Sequence, residues 1–134
     1  MNDRKLIRVS DVMEQGFVMM DGMATVAEGV KAMVEKNAHS LFIQRRNDHD
    51  EFGIVVLADI ANKVLGSNKS ADRVNLYEIM TKPVLCIDPE MDIRYCARLF
   101  YRFGLSTAPI VKDKEIIGVV TYNEIVLKGL LAQY

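Results

Sequence analysis

The chain has two cysteines in 134 residues, at 86 and 96, and no Cys-x-x-Cys spacing. That sets aside a disulfide framework and a thiolate metal site. Both cysteines lie in apolar patterns, "PVLCI" and "IRYCARLF", so buried free thiols are expected. No run approaches the roughly 18 apolar residues of a membrane-spanning helix. The opening "MNDRKLIRVSDVM" has no apolar signal core, so a cytoplasmic location is expected. Charge of one sign is missing too: seventeen basic against eighteen acidic residues give −1, with no basic or acidic block. Nothing in that balance points to nucleic acid or a membrane surface as a partner. No nucleophile with a base and an orienting group is visible. His39, at a helix end, and His49, in the polar "NDHDE" loop, have no third ligand at metal spacing, so no enzyme activity is expected.

What is present is one domain's length of half-apolar chain, enough to bury roughly 65–70% of its extended surface, written twice. Shifting the chain by 67 positions puts Met13 on Met80, Asp21 on Asp88 and Val26 on Ile93, and "NAHSLFIQ" on "GLSTAPIV". After a loop two residues longer in the first half, a shift of 65 puts Gly53 on Gly118 and Ile60 on Ile125. The repeats are placed at 9–65 and 74–131, with the small, polar 66–73 as a surface linker.

Each half reads as strand, helix, two strands, helix: an α/β fold of two β-α-β-β-α repeats. The first strands are "FVMM" (17–20) and "VLCI" (84–87), each closed by a turn. Thr25 with Glu28 forms a capping box, and Asp92 caps the matching helix. Asn37 and Gly104 end these helices, being residues that accept the left-handed conformation. Strands at 40–44 and 106–111 and continuously apolar ones at 52–57 and 116–121 follow, then closing helices from about Ala58 and Asn123. About 60 residues build only a marginal core, so each half needs a partner for its apolar sheet face.

This order, with "VSDVM" and "LYEIM" before the first strands, "STAPIV", and the endings "GIVVLADIANKVL" and "GVVTYNEIVLKGL", resembles a tandem pair of CBS (cystathionine β-synthase-type) domains over about residues 9–131. The resemblance implies two repeats about a pseudo-twofold axis, with an adenosyl ligand (AMP, ADP, ATP or S-adenosylmethionine) between them. It also implies pairing of two modules into a homodimer. With no effector domain recognised on this chain, the regulated activity is expected in a separate effector protein. The family's ribose and phosphate motif, Gly, two residues, Thr or Ser, two residues, Asp, is matched at Gly118, Thr121 and Glu124, with Glu for Asp. It is matched again at Gly53 and Asp59, with Val56 in place of the hydroxyl. By family position an adenine slot would involve Val84, Leu85, Thr107, Ala108, Pro109, the "HSLF" stretch (39–42) with Ser40, and "FVM" (17–19).

The chemistry of that motif is general. A carboxylate has two oxygens for the adjacent hydroxyls of a ribose, and a threonine hydroxyl with first-turn N–H groups can hold a phosphate. A spacing of three places the two side chains on one face, one turn apart. Val56 offers no hydrogen bond, a loss of roughly 0.5–1.5 kcal/mol for a first-half site.

Ligand-free readings stand beside these. Thr121 and Glu124 also fit a capping box, and Asp59 can simply complement its helix. Arg45 and Arg46 read as a solvated hairpin shoulder, Lys63 and Lys128 as exposed late-helix cations, and Met13 and Met80 as core plugs. Tyr95, Phe100, Tyr101 and Phe103 in or beside one helix suggest a dimer face. The alternative function is thus a dimerisation or interaction module whose nucleotide sites no longer bind.

Overall fold

The computed structural model describes residues 5–134. The elements are α1 (Val9–Val12), β1 (Val18–Met20), α2 (Val26–Lys36), β2 (Ser40–Ile43), β3 (Gly53–Val56) and α3 (Leu57–Ile60), which continues as a π-helical turn over Ala61–Leu65. After a 3-10 turn at Leu76–Glu78 come α4 (Ile93–Phe103), β4 (Thr107–Lys112) and β5 (Glu115–Thr121). The chain closes with a π-helix over Asn123–Leu130 and a 3-10 turn at Leu131–Gln133. The closing helices form where the alternating and helical patterns predict them; their i→i+5 winding has no signature in the sequence.

The chain gathers into two compact units, one of Gly16–Val84 and one of Met1–Gln15 with Leu85–Tyr134. These are offset from the repeats as written, because the stretch preceding each repeat's first strand joins the other repeat's body. In the first unit, β1 pairs parallel with β2 and β2 antiparallel with β3. The far edge of β3 is closed by Thr81, which exchanges bonds with Ile54 at 2.9 and 3.0 Å. In the second unit the equivalent layers are Ile87, β4, β5 and Glu14. Ile87 bridges parallel to Ile110, β4 pairs antiparallel with β5, and Glu14 exchanges bonds with Val119 at 2.8 and 2.9 Å. Edges that would otherwise expose unpaired N–H and C=O groups are thereby covered.

Two expectations are corrected. "VLCI" is not a strand: Ile87 forms an isolated bridge to β4, donating to Pro109 O and accepting from Val111 N. Pro83 and Pro89 bracket the segment, and neither has an N–H to give to a ladder. Val84 and Leu85 are half-buried and Cys86 is exposed, so Cys96 alone is a buried thiol. The 66–73 stretch is exposed except for the half-buried Ala71. Ala71 O accepts from Ala27 N at 2.9 Å and its methyl packs on the first core.

The helix ends form as read. Thr25 and Glu28 make the reciprocal capping box, Asp92 accepts from Arg94 N at 2.9 Å, and Asn37 (φ 53°) and Gly104 (φ 64°) are left-handed. The β4–β5 hairpin turns through Asp113 and Lys114, both with positive φ, the type I′ geometry that matches strand twist. Each unit has its own core, Val26, Met33, Leu41, Val55, Val64 and Leu76 in one, Val9, Ile93, Cys96, Phe100, Ile110 and Val120 in the other.

Candidate functional site

In the second unit the antiparallel register of β4 and β5 sets Thr107 opposite Thr121, Ala108 opposite Val120, and Pro109 opposite Val119. Because Pro109 O also accepts from Ile87 N, the stretch that follows Leu85 lies along the other side of β4. Leu85, Thr107, Ala108, Pro109, Gly118, Thr121 and Glu124 therefore belong to one body, with the threonines and Glu124 at the strand-to-helix junction. Ser40, Asp59 and Val84 belong to the other. There Ser40 stands opposite Val56, the counterpart of the Thr107–Thr121 pair, with Asp59 one turn on.

The glycines of the motif have a neighbour to accommodate. A Cβ on Gly118 would lie 2.6 Å from Met13 Sδ, and one on Gly53 would lie 2.7 Å from Met80 Sδ. The two methionines, expected as core plugs, are half-buried and pack on the second and first cores respectively. Close approach at these glycines is thus by a thioether from the covering edge segment.

At the junction, Thr121 N–H donates to Glu124 Oε1 at 2.7 Å and the Thr121 hydroxyl donates to the same oxygen at 2.8 Å. The hydroxyl oxygen in turn accepts from Asn123 N at 3.1 Å. The capping reading is therefore realised. The same device, a carboxylate three residues into a helix accepting the cap N–H, recurs at Asp11, Glu28, Asp59 and Glu78. Asp59 is further occupied: Oδ2 accepts from Val56 N at 3.1 Å and Oδ1 faces Lys63 Nζ at 3.4 Å. Lys63 also donates to Ile79 O, while Lys128 pairs with Glu14, which pushes the Lys128 pKa upward.

What separates Glu124 from the other cap carboxylates is burial. Among the described residues, the polar or charged residues buried as a whole are Ser40 and Glu124, at 5% and 7% exposure, and both stand on the sequence-predicted site. A carboxylate is rarely buried without a compensating partner. Here Thr121 supplies two donors to one oxygen, and a carboxylate has acceptor capacity beyond that.

Among the described residues no three His, Cys, Asp or Glu side chains gather to hold an ion. Among those residues, too, no helix is long and apolar enough to cross a membrane. On α4, Tyr95, Tyr101 and Phe103 are exposed, whereas Phe100 is fully buried and meets Tyr122 edge-on at 5.3 Å, so Phe100 belongs to the core and not to a dimer face.

Comparison with known proteins decides the family. A CBS-domain profile matches residues 76–129. The hexameric CBS-CP12 protein from bloom-forming cyanobacteria is 32% identical and superposes with a TM-score of 0.91, over 97% of this chain and 76% of that one. This chain belongs to the CBS-domain family. The CBS domain pair of protein MJ0100, solved in complex with 5′-methylthioadenosine and S-adenosyl-L-methionine, shares the CBS fold at 24% identity with a TM-score of 0.77, over 96% and 98% of the two chains. An uncharacterized protein of Methanopyrus kandleri is 28% identical over 89% of this chain. The CBS pair spans 61% of that relative's length.

Proposed function

We propose that this CBS pair is a regulatory module that binds an adenosyl ligand (AMP, ADP, ATP or S-adenosylmethionine) at the Thr121–Glu124 junction and signals its occupancy to a separate effector protein. The observation that carries the reading is the burial of Glu124, bonded to Thr121, which pairs with Thr107, at the position where the family motif has its ribose-binding carboxylate. In this reading Glu124 takes the ribose hydroxyls on the acceptor capacity that Thr121 leaves unused. The first-turn N–H groups face the phosphate of a nucleotide ligand, and Leu85, Thr107, Ala108 and Pro109 flank the adenine. The adenosyl ligands of the MJ0100 pair support the ligand class. Asp59 and Ser40 mark a second, weaker site, since Val56 brings no hydroxyl and Asp59 already faces Lys63. The module acts as a homodimer in this reading, with the exposed Tyr95, Tyr101 and Phe103 as its aromatic contact face.

The second reading, an interaction module without nucleotide binding, is favoured by the capping bonds that occupy both carboxylates and by the methionines against both glycines. A thermal-shift panel of AMP, ADP, ATP, S-adenosylmethionine and NAD separates the two. Ligand binding raises the melting temperature by mass action, and Thr121→Val and Glu124→Gln should each shrink that rise. A panel that leaves the wild-type melting temperature unmoved leaves the interaction module as the reading.

A further inference from the structure

A second place in the first unit has the build of a ligand site, and it lies at the opposite end of the sheet from Ser40 and Asp59. β1 and β2 run parallel, so Asp21–Met23 and Gln44–Arg46, which follow their C-terminal ends, emerge together. Ser40 begins β2 and pairs with Val56, three residues away, roughly 10 Å at strand rise. Between these two loops and the segment carrying Tyr77, Met80 and Lys82 is a cavity of about 350 Å³, within the range of small-molecule sites.

Its lining is divided by chemistry. Ile43, Met80, Met23 and the half-exposed Tyr77 ring provide apolar surface. Arg45, Arg46 and Lys82 provide cations. Asp50, whose side chain is 8% exposed, ties two of these together: Arg46 Nε at 3.0 Å and Lys82 Nζ at 2.6 Å. It thereby joins the long β2–β3 loop to the segment that closes the edge of β3. Arg45 stacks on the Phe52 ring at 5.1 Å. Asp21 is engaged by Met23 N–H at 2.8 Å. The charged residues of the lining itself are Arg45, Arg46 and Lys82 with Asp21. The two residues added to this loop relative to the second half fall here, so this arrangement belongs to the first repeat alone.

We infer that this cavity is a binding site for a small organic anion, with its apolar body on Met80, Ile43 and Tyr77 and its phosphate or carboxylate head on the Arg45, Arg46 and Lys82 rim. Met80 both forms the floor and plugs Gly53, so occupancy bears directly on the edge of β3. The inference is independent of the nucleotide reading, since none of the residues it uses belongs to that site.

The test is amide chemical-shift mapping on the intact chain with phenyl phosphate, benzoate, inorganic phosphate and benzyl alcohol. Phenyl phosphate or benzoate should give saturable shifts confined to Gly22, Met23, Gln44, Arg45, Tyr77 and Lys82. Inorganic phosphate should bind more weakly and benzyl alcohol negligibly. Lys82→Gln should weaken the aromatic anions about tenfold, the loss of one charge-assisted contact, and Lys82→Arg should restore them. If Lys82→Gln loses its dispersed spectrum, Arg46→Gln, a mostly exposed side chain, carries the same comparison. Absence of saturable shifts at millimolar anion, equal shifts with benzyl alcohol, or affinities unchanged in the folded charge variant would each overturn the site.

Discussion

Gly118→Ala separates a packing role from a ligand role for the motif glycine. The added Cβ would stand 2.6 Å from Met13 Sδ, 3.0 Å from Met13 Cγ and 3.1 Å from Glu14 O. The thioether can swing aside, but Glu14 O accepts from Val119 N at 2.8 Å, so the edge bridge itself must shift. Overpacking of this kind costs about 1–3 kcal/mol. Alanine's smaller unfolded-state entropy returns about 0.4–1 kcal/mol, leaving about 1–2 kcal/mol of destabilisation. Urea unfolding of the ligand-free chain should therefore show a lower midpoint with an unchanged slope. Met13→Ala in the same background should relieve the clash, so the pair falls short of additivity by more than about 0.5 kcal/mol. Gly53→Ala should repeat the pattern with Met80, whose Sδ would be 2.7 Å from the new Cβ. If Gly118→Ala unfolds at the wild-type midpoint, or its cost adds to that of Met13→Ala, the glycine is not there for the methionine.

Thr121→Val, which removes the donor to Glu124 and the acceptor for Asn123 N, should cost about 1–2 kcal/mol. A double-mutant cycle with Glu124→Ala should show coupling; additive costs would refute the shared bond. Gly104→Ala, at φ 64°, should lower stability by about 1 kcal/mol, with Gly104→Asn milder; equal stabilities for all three forms in urea would contradict the left-handed cap. Under native conditions a thiol reagent should label Cys86 and spare Cys96, whose pKa burial pushes up to about 11; native labelling of both at one rate would refute that burial. The bonds from Arg46 and Lys82 hold the Asp50 carboxyl well below the usual carboxylate range. The unfolded chain then binds the extra proton, so this contribution is present above the unfolded pKa of about 3.9 and is lost as pH falls towards the folded value. Asp50→Asn should flatten acid unfolding in that window, and an unchanged pH profile would count against the tie.

Much of the fold is legible locally. Capping chemistry at Thr25 and Asp92, left-handed residues at Asn37 and Gly104, and apolar runs at β3 and β5 are decided by neighbours a few residues away, and all appear where the sequence places them. "VLCI" reads as a strand by its side chains, yet pairing requires N–H groups at its flanks that Pro83 and Pro89 do not have. The motif spacing that begins at Gly53 and Gly118 was legible in the sequence. Its glycines, however, answer to methionines 27 to 105 residues away in sequence (Met80 from Gly53, Met13 from Gly118), contacts that no spacing rule announces. The cavity at Lys82 escaped sequence reasoning for the same reason, since Asp50 and Lys82 meet only through folding.

The sequence by itself determined the duplicated plan, the helix boundaries and the paired hydroxyl and carboxylate at Thr121 and Glu124, because these follow from periodicity and from bonds spanning three or four residues. Tertiary structure decided that each repeat's leading segment completes the other repeat's sheet, that Glu124 is buried while Glu28 is not, and that a charged rim forms around Asp50. Those outcomes depend on which edge strands find uncovered N–H and C=O groups and which side chains lose water when they do, and burial of that kind is a property of the assembled sheet and not of any stretch of chain.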